Sequence, residues 1–174
     1  MSLFTEKNPD CEPCEYKSNL EVLRSIPCFS GLQVEQLKVL AFVCERLKYK
    51  EGELFFEQDE KDENAYYLLA GSAQVIRSRE GEETVLGSLA PGDFVGGLAL
   101  INPSRRLFSI RAESDTTCLI FNRHKILPRL NKDIRVYQDF VSAVAETVVK
   151  WEETNLINRG AGELSLETAG VSLL

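Results

Sequence analysis

Pro91-Gly92-Asp93-Phe94-Val95-Gly96-Gly97-Leu98-Ala99-Leu100, followed closely by Pro103, Arg105 and Arg106, is the stretch on which the reading of this chain turns. Gly92 suits a turn. Gly96 and Gly97 let backbone approach a ligand, or enter a helix, without a Cβ clash. Leu98 to Leu100 predict a single helical turn, whose leading amides favour an anion. Pro103 stops that turn, and Arg105 and Arg106 open the next strand. A guanidinium returning beside a short helix start can grip a phosphate through two parallel hydrogen bonds. Taken singly, a glycine pair usually marks only a turn, and an arginine pair only a solvated surface. The order of turn, glycine pair, short helix and arginine carries more information than any member.

Outward from this stretch, residues 48–121 alternate short apolar runs with polar turns. The runs are Leu54–Phe56, Tyr66–Leu69, Ala73–Ile76, Thr84–Leu89, Leu107–Ile110 and Thr117–Phe121. Glu51-Gly52, Ala70-Gly71, Glu80-Gly81 and Asn102-Pro103 punctuate them. That texture predicts an antiparallel sandwich or barrel. No helix of crossover length separates the strands, which excludes a parallel βαβ architecture. Residues 18–47 read as helical with one break at Pro27, because Leu20, Leu23 and Ile26, then Leu37, Leu40, Ala41 and Cys44, recur at helical spacing. After Phe121, His124–Leu130 predicts a short helix limited by Pro128. Asp133 to about Thr154 predicts a long one. Its Ile134, Tyr137, Val141, Val144, Val148 and Trp151 alternate by three and four, as a seam between helices requires. Val136, Phe140 and Ala143 form a second apolar group. The expected organisation is an N-terminal arm over 1–17, one domain over 18–156 and a polar, glycine-containing tail over 157–174.

The totals narrow the function. The chain has 174 residues, 44% of them hydrophobic and 27% charged, so one globular core is expected. The 27 acidic against 20 basic side chains give a net charge of -7. With no basic patch beyond Arg105, Arg106 and Arg111, nucleic acid is not an expected partner. No apolar run approaches the roughly 20 residues of a membrane span. The first residues lack a secretory pattern, so a cytoplasmic location and no membrane association are the expectation. Five cysteines in such a chain argue against a disulfide framework; Cys28, Cys44 and Cys118 sit beside apolar residues and read as buried small side chains.

The segment 91–109 resembles the phosphate-binding cassette of the cyclic nucleotide-binding domain family. The likeness extends over Pro27-Cys28-Phe29-Ser30-Gly31-Leu32, Glu51 to Asp59, and Tyr66 to Val75. The resemblance implies a mainly β fold with flanking helices: an eight-stranded jelly-roll barrel with a long C-terminal helix. In that family the last helix closes over the ligand, commonly forms a dimer seam and relays binding to an effector. A homodimer through that helix and a separate effector protein are therefore the expected partners. By the family pattern, Arg106 pairs with the cyclic phosphate, and the amides of Leu107, Leu98 and Ala99 assist, with Gly96 and Gly97 giving access. Position 97 is normally a glutamate that receives the ribose hydroxyl; here it is Gly97. Position 108 is normally small; here it is Phe108. Ser109 keeps a hydroxyl where the family often has a threonine able to contact the base.

A ribose hydroxyl left buried and unpaired costs roughly 1–3 kcal/mol, about 5- to 150-fold in affinity. The retained arginine is the counterweight. The expectation is a non-catalytic regulatory or protein-interaction domain whose altered pocket binds canonical cyclic nucleotides weakly or not at all. The alternative is a working sensor of cAMP or cGMP that acts on a separate protein. No other cofactor is expected.

Two further signals merit weighing. Cys11-Glu12-Pro13-Cys14 has the spacing of a redox or metal-binding pair, which gives a third reading as a redox- or metal-responsive regulator. A closed structural zinc site needs four ligands, though, and this arm offers two. His124 is the only histidine and has no nucleophile to serve, so no triad and no enzymatic activity are inferred. Tyr137 and Trp151 read first as core and seam, and second as candidates to stack on a bound base.

Overall fold

Alternation of apolar and polar residues in runs of three to eight gives the middle of the chain its strands, and longer 3.6-residue periodicity gives both ends their helices. The computed structural model describes residues 12–152. Helix α1 is Glu12–Ser25, a 3-10 turn covers Pro27–Phe29, and α2 is Val34–Val43. Ten strands follow, interrupted once: β1 Glu45–Tyr49, β2 Leu54–Phe56, β3 Lys61–Asp62, β4 Asn64–Ala70, β5 Ala73–Arg79, β6 Glu82–Leu89, β7 Phe94–Val95, then helix α3 Gly97–Ile101, then β8 Ser104–Arg105, β9 Ser109–Ala112 and β10 Thr116–Asn122. Helices α4, Arg123–Leu130, and α5, Ile134–Glu152, complete the described residues.

Two four-stranded antiparallel sheets, ordered β1-β10-β4-β7 and β2-β9-β5-β6, supply the eight main strands expected of the jelly roll. A two-stranded ribbon of β3 and β8 is added at one corner. The ribbon pairs Lys61 with Arg105 and Asp62 with Ser104. It therefore ties the loop after β2 to the segment that leaves α3. At the β4–β5 turn, Gly71 has φ +87°, and a Cβ there would lie 2.5 Å from the Asp115 carbonyl oxygen. Only glycine fits that crossing.

Several boundaries differ from the sequence reading; Arg106, Leu107 and Phe108, expected to be in a strand, lie between β8 and β9. Residues 45–47, assigned to the second helix, begin strand β1 instead. The segment Glu45-Arg46-Leu47-Lys48-Tyr49 is mostly polar, and its pairing with β10 overrides its weak local preference. Residues 12–17 of the expected arm are helical. Pro13 stands in the first turn of α1, where a missing N–H removes no intrahelical bond. The expected tail, 157–174, lies outside the described residues.

The apolar side chains form two cores. Between the sheets lie Phe55, Phe56, Tyr66, Leu68, Val75, Val95, Phe108 and Ile110 with their neighbours. Between the helices and the outer face of the first sheet lie Leu23, Phe29, Leu40, Leu100, Phe121, Ile126, Phe140 and Val144. Phe29 stacks on Phe121 at 5.5 Å and on Phe140 at 5.4 Å, with Phe94 edge-on at 6.2 Å. Helix α5 thus buries Phe140 and Val144 while Ile134 and Val149 stay 65% and 50% exposed. Its expected seam is split, because Val144 belongs to the core and Ile134 does not. Among the described residues, no helix is long and apolar enough to cross a membrane.

Candidate functional site

Gly96 sets the geometry of the corner where β7, α3 and the ribbon meet. It has φ +85° and serves as the N-cap of α3. A Cβ at this position would stand 2.8 Å from the Asn64 carbonyl oxygen and 2.9 Å from Arg106 Nη2. The glycine is required twice over, by the left-handed backbone and by the guanidinium pressed against it. The sequence reading placed Gly96 and Arg106 at one site, and they are in contact range here. Gly97 and Ala99 are buried in α3, Leu98 of the same helix is exposed, and so is Leu107, between β8 and β9.

Arg106 is only 4% exposed, and Asp62 only 8%. Asp62 Oδ2 accepts hydrogen bonds from Arg106 Nη2 at 2.7 Å and Nε at 3.3 Å. Arg106 Nη2 also donates to the Asn64 carbonyl. The guanidinium carbon sits 4.3 Å from the centre of the Phe56 ring, a cation–π distance. Its main chain is held as well: Arg106 N donates to the Glu60 carbonyl at 2.9 Å, and Asp59 N to the Arg106 carbonyl at 2.8 Å.

The carboxylate is as firmly placed as the arginine. Asp62 Oδ1 accepts from Asn64 N at 3.1 Å and Asn64 Nδ2 at 2.7 Å. The Tyr66 hydroxyl lies 3.0 Å from Asp62 Oδ2 and 3.3 Å from the Phe55 carbonyl, sharing its proton between them. Burial, then the Asp62 charge, pushes the Tyr66 phenol well above its usual range, so it stays a donor. Asn64 Oδ1 in turn accepts from Asn122 Nδ2 at 2.8 Å, and Asn122 caps α4 through His124 N. One polar network runs from the arginine to the start of α4.

Phe108 points into the barrel. It is 9% exposed and its ring lies 5.7 Å from that of Phe56, whose other neighbours include Tyr66 at 5.5 Å. The Phe56 ring lies beneath the Arg106 guanidinium, and Phe108 packs against Phe56. Ser109 is buried, and its Oγ accepts from Gln58 N at 2.8 Å. The Gln58 amide then clasps the Ser78 backbone at 3.0 and 2.8 Å. The loop after β2 therefore meets both Arg106 and Ser109. Sequence reading missed Asp62, Asn64 and Gln58. Asp62 stands in the polar run Glu60-Lys61-Asp62-Glu63, and only the pairing of β3 with β8 carries it inward.

The chain matches the family model described as "Cyclic nucleotide-binding domain" over residues 46–133. It belongs to the cyclic nucleotide-binding domain family. A cAMP-dependent protein kinase regulatory subunit of Blastocladiella emersonii is 33% identical over 97 residues, covering 55% of this chain and 24% of the relative. This chain thus spans about a quarter of that regulatory subunit's length. Among solved structures, the N-terminal domain of a transcriptional regulator from Streptomyces coelicolor A3(2) is 26% identical, with TM-score 0.66 over 74% of this chain and 93% of that one. The regulatory subunit of a cAMP-independent protein kinase A from Trypanosoma brucei is 25% identical, with TM-score 0.57 over 72% and 47%. The relatives are regulatory subunits and regulators.

The remaining sequence signals fall elsewhere. Cys14 is in the first turn of α1, and Cys11 lies outside the described residues. Among the described residues no group of three or more His, Cys, Asp or Glu side chains could hold a metal. Burial pushes the Cys118 thiol up to about 12, raises Cys44 to about 12 and raises Cys28 further still. These thiols are poor nucleophiles at neutral pH. His124 is exposed and pairs with Glu63 at the start of α4. Tyr137 is half-buried against the helical core.

Proposed function

We propose that this protein is a non-catalytic regulatory or protein-interaction domain whose pocket binds canonical cyclic nucleotides weakly or not at all. The observation that carries this reading is the buried pairing of Arg106 with Asp62. The guanidinium that would meet a cyclic phosphate already has a carboxylate at 2.7 Å. A nucleotide must compete with that partner or share the guanidinium with it, and it finds no carboxylate at Gly97 for its ribose. The missing sugar contact alone costs roughly 1–3 kcal/mol. Ser109 and Phe108 are engaged within the protein. The likeness to a regulatory subunit of a cAMP-independent kinase supports the same reading. The output passes to a separate protein through α5, on which Ile134 and Val149 remain open for an effector or a second copy of the chain.

A working sensor of cAMP or cGMP is the competing reading. It is favoured by the retained Arg106 beside Gly96 and by the similarity to a regulatory subunit of a cAMP-dependent kinase. Calorimetric titration of the full chain with each nucleotide separates the two. Dissociation constants weaker than about 0.1 mM are expected. Saturable binding at micromolar or tighter levels, lost in Arg106→Ala protein that remains folded, would overturn the first reading.

A further inference from the structure

We infer that the groove between α2, α4 and the start of α5 is a docking site for this chain's own residues 163–174. The groove has a volume of about 250 Å³. A cavity of about 150 Å³ already takes up benzene, so the space suffices for one or two leucine side chains. Its floor is apolar: Leu40 and Leu130 are each 1% exposed, and Val39 and Val136 open onto it. Phe42 stands one turn beyond Val39 on the same side of α2. It is 82% exposed, and Val39 is 48% exposed. An uncovered apolar strip that continues into a groove marks a contact surface.

The charges at the rim select the occupant. Glu35 lies in the first turn of α2, and Asp133 Oδ1 accepts from Arg135 N at 2.9 Å where α5 begins. A helix N-terminus therefore offsets each of these acids. Arg129 and the exposed Lys132 remain to face an incoming segment. An apolar stretch flanked by carboxylates is the matching chemistry. Glu163-Leu164-Ser165-Leu166-Glu167 has that composition, and residues 160–174 hold no basic side chain. In an extended segment Leu164 and Leu166 share one face. Val171, Leu173 and Leu174 follow, as apolar partners for Val39 and Phe42. The reach is sufficient. Helix α5 has 19 residues and is about 28 Å long. Residues 153–162 extend to about 33–36 Å, which brings residue 163 back to the start of that helix. Docked there, the segment ties α2, α4 and α5 together at a place separate from the Arg106 corner. Its docking is independent of whether that corner takes a nucleotide.

The test is amide hydrogen exchange on the full chain at two protein concentrations. The proteins are wild type, Val39→Asp, Lys132→Glu, and a charge swap that combines Lys132→Glu with Glu163→Lys and Glu167→Lys. In the wild type, amides of 163–174 are expected to exchange about tenfold or more slowly than in a synthetic peptide of the same sequence, equally at both concentrations. Val39→Asp should bring them to the peptide's rate while β4 and β10 keep their protection. Lys132→Glu should speed their exchange by about threefold, and the charge swap should restore it. Should Val39→Asp not fold, Lys132→Glu and the charge swap decide the matter, since Lys132 is exposed. Peptide-like exchange of 163–174 in the wild type overturns the inference. So does protection that either single variant leaves intact while folded, because the segment then lies elsewhere. A charge swap that fails to restore protection does the same. Protection that grows with protein concentration also overturns it, and assigns the groove to a second copy of the chain.

Discussion

Phe29 is 0% exposed and Arg106 is 4% exposed, yet the two are kept from water on opposite terms. Phe29 meets Phe94, Phe121 and Phe140 at ring separations of 5.4 to 6.2 Å. Its burial is favourable in itself, and each added ring adds dispersion. Arg106 is buried at a cost. Desolvating a guanidinium and a carboxylate is repaid only because Asp62, Asn64 and the Phe56 ring are correctly placed. The first arrangement supplies stability. The second fixes one geometry at the corner where β7, α3 and the ribbon meet. A buried ion pair is weak evidence for stability, so the corner is better understood as a positioning device.

The largest expected effect is in the helical core. Phe29→Ala should destabilise the chain by about 4 kcal/mol, from lost transfer free energy and the cavity left among the rings. Chemical denaturation at constant m-value measures it. Adding Phe140→Ala should restore nothing. The arginine corner should behave differently. Asp62→Leu or Arg106→Met alone leaves an uncompensated buried charge and should cost about 3 kcal/mol. The double substitution should recover most of that, ending within about 1 kcal/mol of wild type. A double variant as unstable as the sum of the singles would show that the corner contributes stability of the same kind as the rings.

Most of the main architecture was legible in the sequence, because it follows from periodicity. The runs at 54–56, 66–69, 73–76, 84–89 and 117–121 all fall within strands. The glycine-to-arginine segment was legible because each of its turns needs a particular residue type. What escaped was of two kinds. Strand β1 and the two-residue strands β3, β7 and β8 have no pattern of their own and exist through their partners. Asp62 escaped because its neighbours Glu60, Lys61 and Glu63 give it the local look of a solvated turn. Its burial is decided by Ser104 and Arg106, more than forty positions away. Missing side chains, such as a carboxylate at Gly97, can be read from a family pattern. A replacement partner drawn from another loop cannot.

The exposed pair of Lys50 and Asp115 has the same 2.7 Å separation as Arg106 and Asp62, but its side chains are 76% and 66% exposed. Equal distance therefore does not imply equal consequence. Water and salt screen the surface pair, and each partner gives up little hydration to form it. The Lys50 ammonium, then the Glu51 backbone N–H, hold the Asp115 carboxyl below its usual value of 3.8. A carboxyl lowered on folding stabilises above its unfolded value and loses that contribution as pH falls through its folded value. Asp115→Asn should therefore lower stability slightly at neutral pH, by less than any change at the arginine corner. The difference from wild type should shrink below about pH 4, where the unfolded chain's aspartate takes up its proton. Raising the salt concentration at pH 7 should shrink it further. Urea denaturation at pH 7 and pH 3, in low and high salt, measures all of this. A deficit for Asp115→Asn that persisted at pH 3 and in high salt would mean that charge is not what Asp115 contributes.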